Sequence, residues 1–249
     1  MSEQKIDLIA KLLAKAEQTT PEEAEALTAA AEKLMIKYAI DQAVIDARRA
    51  REGKTSEKIV QLKLRFEGVY RNDFLEMGAA VVWGLGQMKV LQSKMDKYTV
   101  MWIVGYESDA AQAEILVRSL QVQAIVALKT WWYDARYTPR YQYMPENEKK
   151  HARRQFVRSF GSGAGNRIRE NRASAIHEAG TGTELVLVDR ASKVQEWIDD
   201  NLTLAPNRDK GHKHYDHGAH VAGNQAGRNA NTGERSMTMG RGLPAGATR

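Results

Sequence analysis

Residues 148–176 read as one long helix, yet its centre is Phe160-Gly161-Ser162-Gly163-Ala164-Gly165. Each of the three glycines would cost about 1 kcal/mol in an exposed helix. The run therefore demands either a break in the helix or a neighbouring backbone so close that a Cβ would be in the way. The same run could wrap a phosphate, but it lacks the dinucleotide fingerprint spacing and follows no predicted strand, so helix packing is the preferred reading. A second pattern is similar. Ala219, Gly223 and Gly227, with Ala222, Ala226 and Ala230, recur at three- and four-residue intervals. On a helix they form a seam with almost no bulk, suited to the protein's own body, to a second copy in a homo-oligomer, or to a phosphate backbone. Asn224, Gln225 and Arg228 exclude a membrane span there.

Local signals supply the rest of the fold. Ile6, Ile9, Leu12, Leu13 and Ala16 give an amphipathic helix over residues 5–17. Thr20 as N-cap, Pro21 at the first helical position and Glu23 closing a capping box start a second helix to residue 38. A third is expected from Asp41, ending in a charged linker at 48–57. Val60, Leu62, Leu64 and Phe66 alternate with polar residues as in a half-buried strand. A helix over 71–85, a hairpin of strands 88–92 and 98–104, and a long helix capped by Ser108 or Asp109 follow. After the 148–176 helix come a predicted strand at 184–188 and a last amphipathic helix at 191–202. The fold class is α+β: an N-terminal helical module (1–50), then a small, mainly antiparallel sheet packed against long helices (58–204). A Gly-, His- and Asn-rich extension (205–249) follows, expected to be partly disordered.

Residues 5–40 carry Lys11-Leu12-Leu13-Ala14, Thr20-Pro21-Glu22-Glu23-Ala24, Glu32-Lys33-Leu34-Met35 and Lys37-Tyr38. This stretch resembles the N-terminal helical module called domain of unknown function 2786, which occurs in actinobacteria and their phages and often precedes an uncharacterised α+β domain. The continuation is similar at Gly105-Tyr106-Glu107-Ser108-Asp109, at residues 153–160, and at Ala222-Gly223 and Ala226-Gly227-Arg228. The resemblance implies a two-part architecture and a phage or actinobacterial source; it implies no activity and no residue roles.

The chain has no cysteine, so thiolate chemistry and disulfides are excluded. Its apolar runs are too short to cross a bilayer and no signal peptide opens it, so a cytoplasmic location is expected. Neither a Gly-x-Ser-x-Gly elbow nor a phosphate loop ending Gly-Lys-Ser/Thr occurs, and no cofactor is implied. Glu107 and Asp109 read as first-turn acids of a helix. His212, His214, His217 and His220 are candidate metal ligands, which would make the protein a metal-dependent hydrolase; the glycines around them favour a solvated loop instead.

Charge placement is more telling than the formal +6 of the whole chain. Residues 127–172 hold eleven Lys/Arg against four Asp/Glu, while residues 1–58 hold ten against eleven. Within 131–143 lie six aromatics and two arginines. Aromatic faces stack on unpaired bases while Arg and Lys neutralise phosphates. Arg136, Tyr137, Arg140, Tyr141, Tyr143, Lys149, Lys150, Arg153, Arg154 and Arg158 are therefore candidate nucleic-acid contacts, with single strands favoured. The function expected is that of a nucleic-acid-binding accessory protein without catalytic activity. Because aromatics with Arg also anchor protein interfaces, a modulator that binds a host or phage protein stays open as the alternative.

Overall fold

The computed structural model describes residues 3–16, 18–19, 21–51, 57–179, 182–205, 211–212 and 214–230. The expected Thr20 cap, linker residues 52–56 and the tail 231–249 lie outside them. Among the described residues eleven elements follow in order: α1 (Glu3–Ala16), α2 (Pro21–Arg51), β1 (Ile59–Glu67), α3 (Arg71–Leu85), β2 (Lys89–Lys94), β3 (Tyr98–Tyr106), α4 (Glu107–Ala135), the single turn α5 (Pro139–Gln142), α6 (Glu146–Ala179), α7 (Thr183–Asn201) and α8 (His217–Arg228).

The strands form one antiparallel sheet in the order β1-β3-β2. Period-two alternation sorts their side chains: Leu64, Phe66, Met101 and Ile103 enter the main core with α3 and α4, while Val104 and Tyr106 face Val194 and Ile198 of α7. The central strand is thus covered on both faces.

Close backbone packing accounts for the glycines of α6, and the helix runs through them unbroken. A Cβ on Gly161 would strike Met77 of α3, one on Gly165 the Ala80 carbonyl, and one on Gly84 the Gly165 carbonyl in return. On another face of α6, a Cβ on Gly163 would overlap the Asn224 carbonyl of α8, and Gly223 and Gly227 lie against the carbonyls of Phe156 and Phe160. Of the partners considered for the 219–230 seam, it is the protein's own body that α8 contacts.

Three features differ from the sequence expectations. No break occurs at Asp41, which is exposed; the apolar stripe Ile36, Ile40 and Ala43 runs on past it to pack on Leu187. Residues 184–188 are the first turns of α7, not a strand. Leu185 and Val188 are solvent-exposed, while Leu187, Val194 and Ile198 are buried at helical spacing, a period that the four apolar residues of 184–188 alone do not reveal. Neither Ser108 nor Asp109 caps α4; its N-cap is Tyr106, and the Ser108 amide donates to the Glu57 carboxylate at 2.6 Å. The N-terminal helices also share the main core, since Ile9, Leu13, Ala31 and Met35 join the residues of α3, α4 and α6.

Gly227→Ala should test the seam. An alanine gains about 1 kcal/mol of helix propensity, so in an exposed helix it would stabilise. Here the new methyl meets the Phe160 carbonyl, and the expected net effect in urea denaturation is a loss of about 1–3 kcal/mol. An unchanged or raised midpoint would mean that α8 does not pack as described.

Candidate nucleic-acid interface

The aromatic stretch at the end of α4 divides into an inner and an outer set. Trp131 stacks on Phe156 at 4.9 Å between centroids and meets Tyr141 edge-on at 5.6 Å, while Trp132 meets Tyr141 at 5.4 Å. Tyr141 is only 3% exposed, and its hydroxyl donates to Asp216 at 2.8 Å. Burial and that carboxylate push its phenol up to about 12. With its ring covered by two tryptophans, Tyr141 belongs to the core rather than to a stacking surface. The outer set is Tyr133 and Tyr137, each 66% exposed, and Tyr143, 84% exposed. Arg136 lies over both of the first two, its guanidinium carbon 5.2 Å from the Tyr133 ring and 4.5 Å from the Tyr137 ring.

The cations divide as well. Arg140 pairs with Asp216 at 3.1 Å but stays half-exposed. Lys149 pairs with Glu146 at 3.1 Å, and Lys150 is exposed. Arg153 packs over Trp132 at 5.1 Å, and Arg154 is exposed while donating to the Val69 carbonyl at 3.3 Å. Arg158 is turned inward, donating to Asp73 at 2.6 Å and to Gln155 at 3.1 Å. Burial, partly offset by Arg158, holds the Asp73 carboxyl above its ordinary value. Arg167 is buried and donates to the carbonyls of Arg228 and Ala230. Part of the basic excess of 127–172 is therefore internal wiring; of the candidate contacts, Arg136, Arg140, Lys150 and Arg154 are exposed and Arg153 is half-buried.

The histidines go to different partners: His212 and His214 lie in exposed, non-helical chain as expected, whereas His217 and His220 belong to α8. His212 Nε2 lies 2.7 Å from Glu76, and His214 stacks on His151 at 4.2 Å. His217 lies beside Tyr215 at 6.4 Å, and His220 Nδ1 shares a 2.8 Å hydrogen bond with Ser159 Oγ. Among the described residues no three of His, Asp or Glu converge to hold a metal ion. Asp216 is the N-cap of α8: its carboxylate accepts from the Ala219 amide at 2.7 Å. Burial pushes the Asp216 carboxyl up, but the Ala219 amide, Tyr141 and Arg140 pull harder and leave it below its ordinary value.

A second polar centre had no signal in the sequence. Arg190 of α7 is 3% exposed. It pairs with Asp46 of α2 at 2.5 Å, with Glu57 at 3.0 Å and with Asp109 of α4 at 3.1 Å, and its guanidinium lies 3.5 Å from the Tyr106 ring centroid. The four carriers span 144 positions between Asp46 and Arg190, and only tertiary structure brings them together. Burial raises the Asp109 carboxyl to about 6 despite Arg190, with Glu57 and Asp46 adding repulsion. Its Oδ1 has no partner.

Two measurements follow from these networks. Asp216→Ala removes a helix cap and two side-chain bonds, and should lower unfolding free energy by about 2–3 kcal/mol. Asp109 binds its proton more tightly when folded (about pH 6) than when unfolded (about 3.9). Its contribution to stability is full below about pH 4 and falls as pH rises to about 6. Asp109→Asn should therefore gain on the wild type across that window in chemical denaturation, whatever its absolute stability. A difference that stays flat from pH 4 to 7 would refute the buried-acid assignment.

Comparison with known proteins and families finds a likeness only at the level of a family. No curated protein and no solved structure matches the chain. Residues 6–42, which cover α1 beyond its first turn and most of α2, match the family described as protein of unknown function (DUF2786), so the resemblance to this domain rests on the N-terminal helix pair.

Proposed function

We propose that this protein is a nucleic-acid-binding accessory protein that holds single strands on the surface formed by the end of α4, the α5 turn and the start of α6. The observation that carries this is the exposed tyrosine set, Tyr133, Tyr137 and Tyr143, with Arg136 laid over the first two rings. Large aromatic rings left in water beside cations are suited to stacking on unpaired bases, worth about 1–3 kcal/mol per base. Arg136, Arg140, Lys150, Arg153 and Arg154 supply phosphate contacts, although Arg140 already shares its charge with Asp216. Duplex DNA offers no base faces to the tyrosines, which is why single strands are favoured.

One observation favours a protein partner instead. Val122 and Val126, 52% and 59% exposed, extend the face that carries Tyr133 and Tyr137 up α4. An apolar helix face ending in aromatics and Arg has the composition of an interface anchor.

Titration with fluorescent oligo(dT) at several salt concentrations separates the two. About three to four phosphates neutralised on a single strand predict a log–log slope of about −2 to −3. Tyr137→Ala should weaken binding about tenfold or more with the slope intact. Lys150→Ala with Arg154→Ala should flatten the slope, since each removes a phosphate contact. No binding at low salt, or binding unaffected by Tyr133→Ala with Tyr137→Ala, would reject this reading and leave the protein partner in front.

A further inference from the structure

The surface proposed for a single strand contains one acid that a purely phosphate-gathering face does not explain. Residues 127–172 hold four acids, Asp134, Glu146, Glu148 and Glu170. Glu146 pairs with Lys149 and Glu170 with Arg228, while Glu148 is near enough to His151 to favour its charge. Asp134 is exposed at the end of α4, and its carboxylate makes no hydrogen bond or ion pair among the described residues. A free carboxylate repels a phosphate chain, so it costs affinity unless it meets something else on the ligand.

Asp134 lines a pocket. With Trp131, Ala135 and Thr138 it recurs at three- and four-residue spacing, which sets the four on one side of the end of α4 and the turn after it. Around them lies about 330 Å³ of free space, open to solvent and within the range of small-ligand pockets, about 300–1,000 Å³. Gly218 borders the same space, and a Cβ there would stand 2.9 Å from Tyr141 Oη and 3.2 Å from Arg140 Nε. Arg140 lines the pocket too, yet it pairs with Asp216 rather than with Asp134 and stays half-exposed. Next to the pocket stands Tyr137, whose amide donates to the Asp134 carbonyl at 3.4 Å and whose ring is 66% exposed. A roomy space with a free carboxylate therefore opens beside one of the stacking rings.

We propose that this pocket takes one unpaired guanine of the bound strand, read through its pairing edge by Asp134. The inference rests on the strand-binding reading and adds a base preference to it. A carboxylate presents two acceptors side by side, and guanine is the common base that sets two donors side by side, N1–H and the N2 amino group. Adenine and cytosine place a ring-nitrogen acceptor beside their amino group, and thymine and uracil flank a single N–H with two carbonyls. Each of these turns an acceptor against the charge. Trp131, Ala135 and Thr138 supply the walls, and Arg140 meets the nucleotide's phosphate, which offsets the repulsion from the acid. In a duplex cytosine already holds this edge of guanine, so the pocket and the stacking rings both call for single strands.

Full-length protein is titrated at low salt with a fluorescent oligo(dT) of about nine nucleotides, and with strands whose central dT is replaced. One dG should tighten binding about tenfold, and dA or dC should not. Inosine, which lacks the N2 amino group, should lose most of that gain; 7-deazaguanine, changed only on the far edge, should keep it. Asp134→Asn should bring the dG strand to within about twofold of oligo(dT), while oligo(dT) itself binds as well or better because a negative charge is gone. A merely structural role for Asp134 would weaken both strands alike. Calorimetry with GMP and IMP, up to about 10 mM, tests the pocket apart from the strand surface, and GMP should bind the more tightly. A dG strand no tighter than oligo(dT), inosine equal to guanine, a gain lost with 7-deazaguanine, or a gain that survives Asp134→Asn would overturn the guanine pocket and leave strand binding standing. Binding of GMP over IMP with no binding of any strand would keep the pocket and reject the strand; binding of neither would reject both.

Discussion

The fold depends on how closely backbones approach along α6. Gly161 and Gly165 admit α3 on one face, and Gly163, with Gly223 and Gly227 opposite, admits α8 on another. Side-chain bulk at these positions would push the helices apart and open the core that Phe156 and Phe160 fill from α6. The glycines weaken α6 as an isolated helix and strengthen it as the centre of a three-helix contact. Dispersion across the close interface, rather than propensity, holds it together. Arg167 then fastens the end of α8 by donating to the carbonyls of Arg228 and Ala230, groups that a helix end leaves free.

Arg190 ties the outer layers to this centre. A single guanidinium joins α2, the segment before β1, the first turn of α4 and the ring of Tyr106 at the end of β3. A buried ion network is weak as a source of net stability, because desolvation offsets most of its attraction. Its effect is directional: α2 and α7 are held in one arrangement around three carboxylates. The same crowding leaves Asp109 with a raised carboxyl and a buried oxygen without a partner.

The end of α4 shows how one sequence feature serves two ends. Trp131, Trp132 and Tyr141 anchor α5 and the Asp216 cap of α8, which fixes where the α4–α6 turn sits. Tyr133, Arg136, Tyr137 and Tyr143 project from the turn so fixed and keep their rings in water. Composition registers that aromatics and cations are concentrated here. It cannot sort them, because inner and outer residues differ only in which side of the turn they occupy.

What the sequence determined by itself was local. Helical periodicity placed α1, α3 and α4, strict alternation placed β1, the two apolar runs placed the β2–β3 hairpin, and glycine spacing announced that α6 and α8 touch other backbones closely. Each of these signals lies within a few residues and has one physical cause. Tertiary structure decided the rest. Whether residues 184–188 were strand or helix depended on a partner, Leu187 against α2, that the segment does not contain. Which arginines were internal depended on acids far along the chain: Asp73 for Arg158, and Asp46, Glu57 and Asp109 for Arg190. Burial and ion pairing are properties of neighbours in space, and a chain read in order cannot say which distant residues those neighbours are.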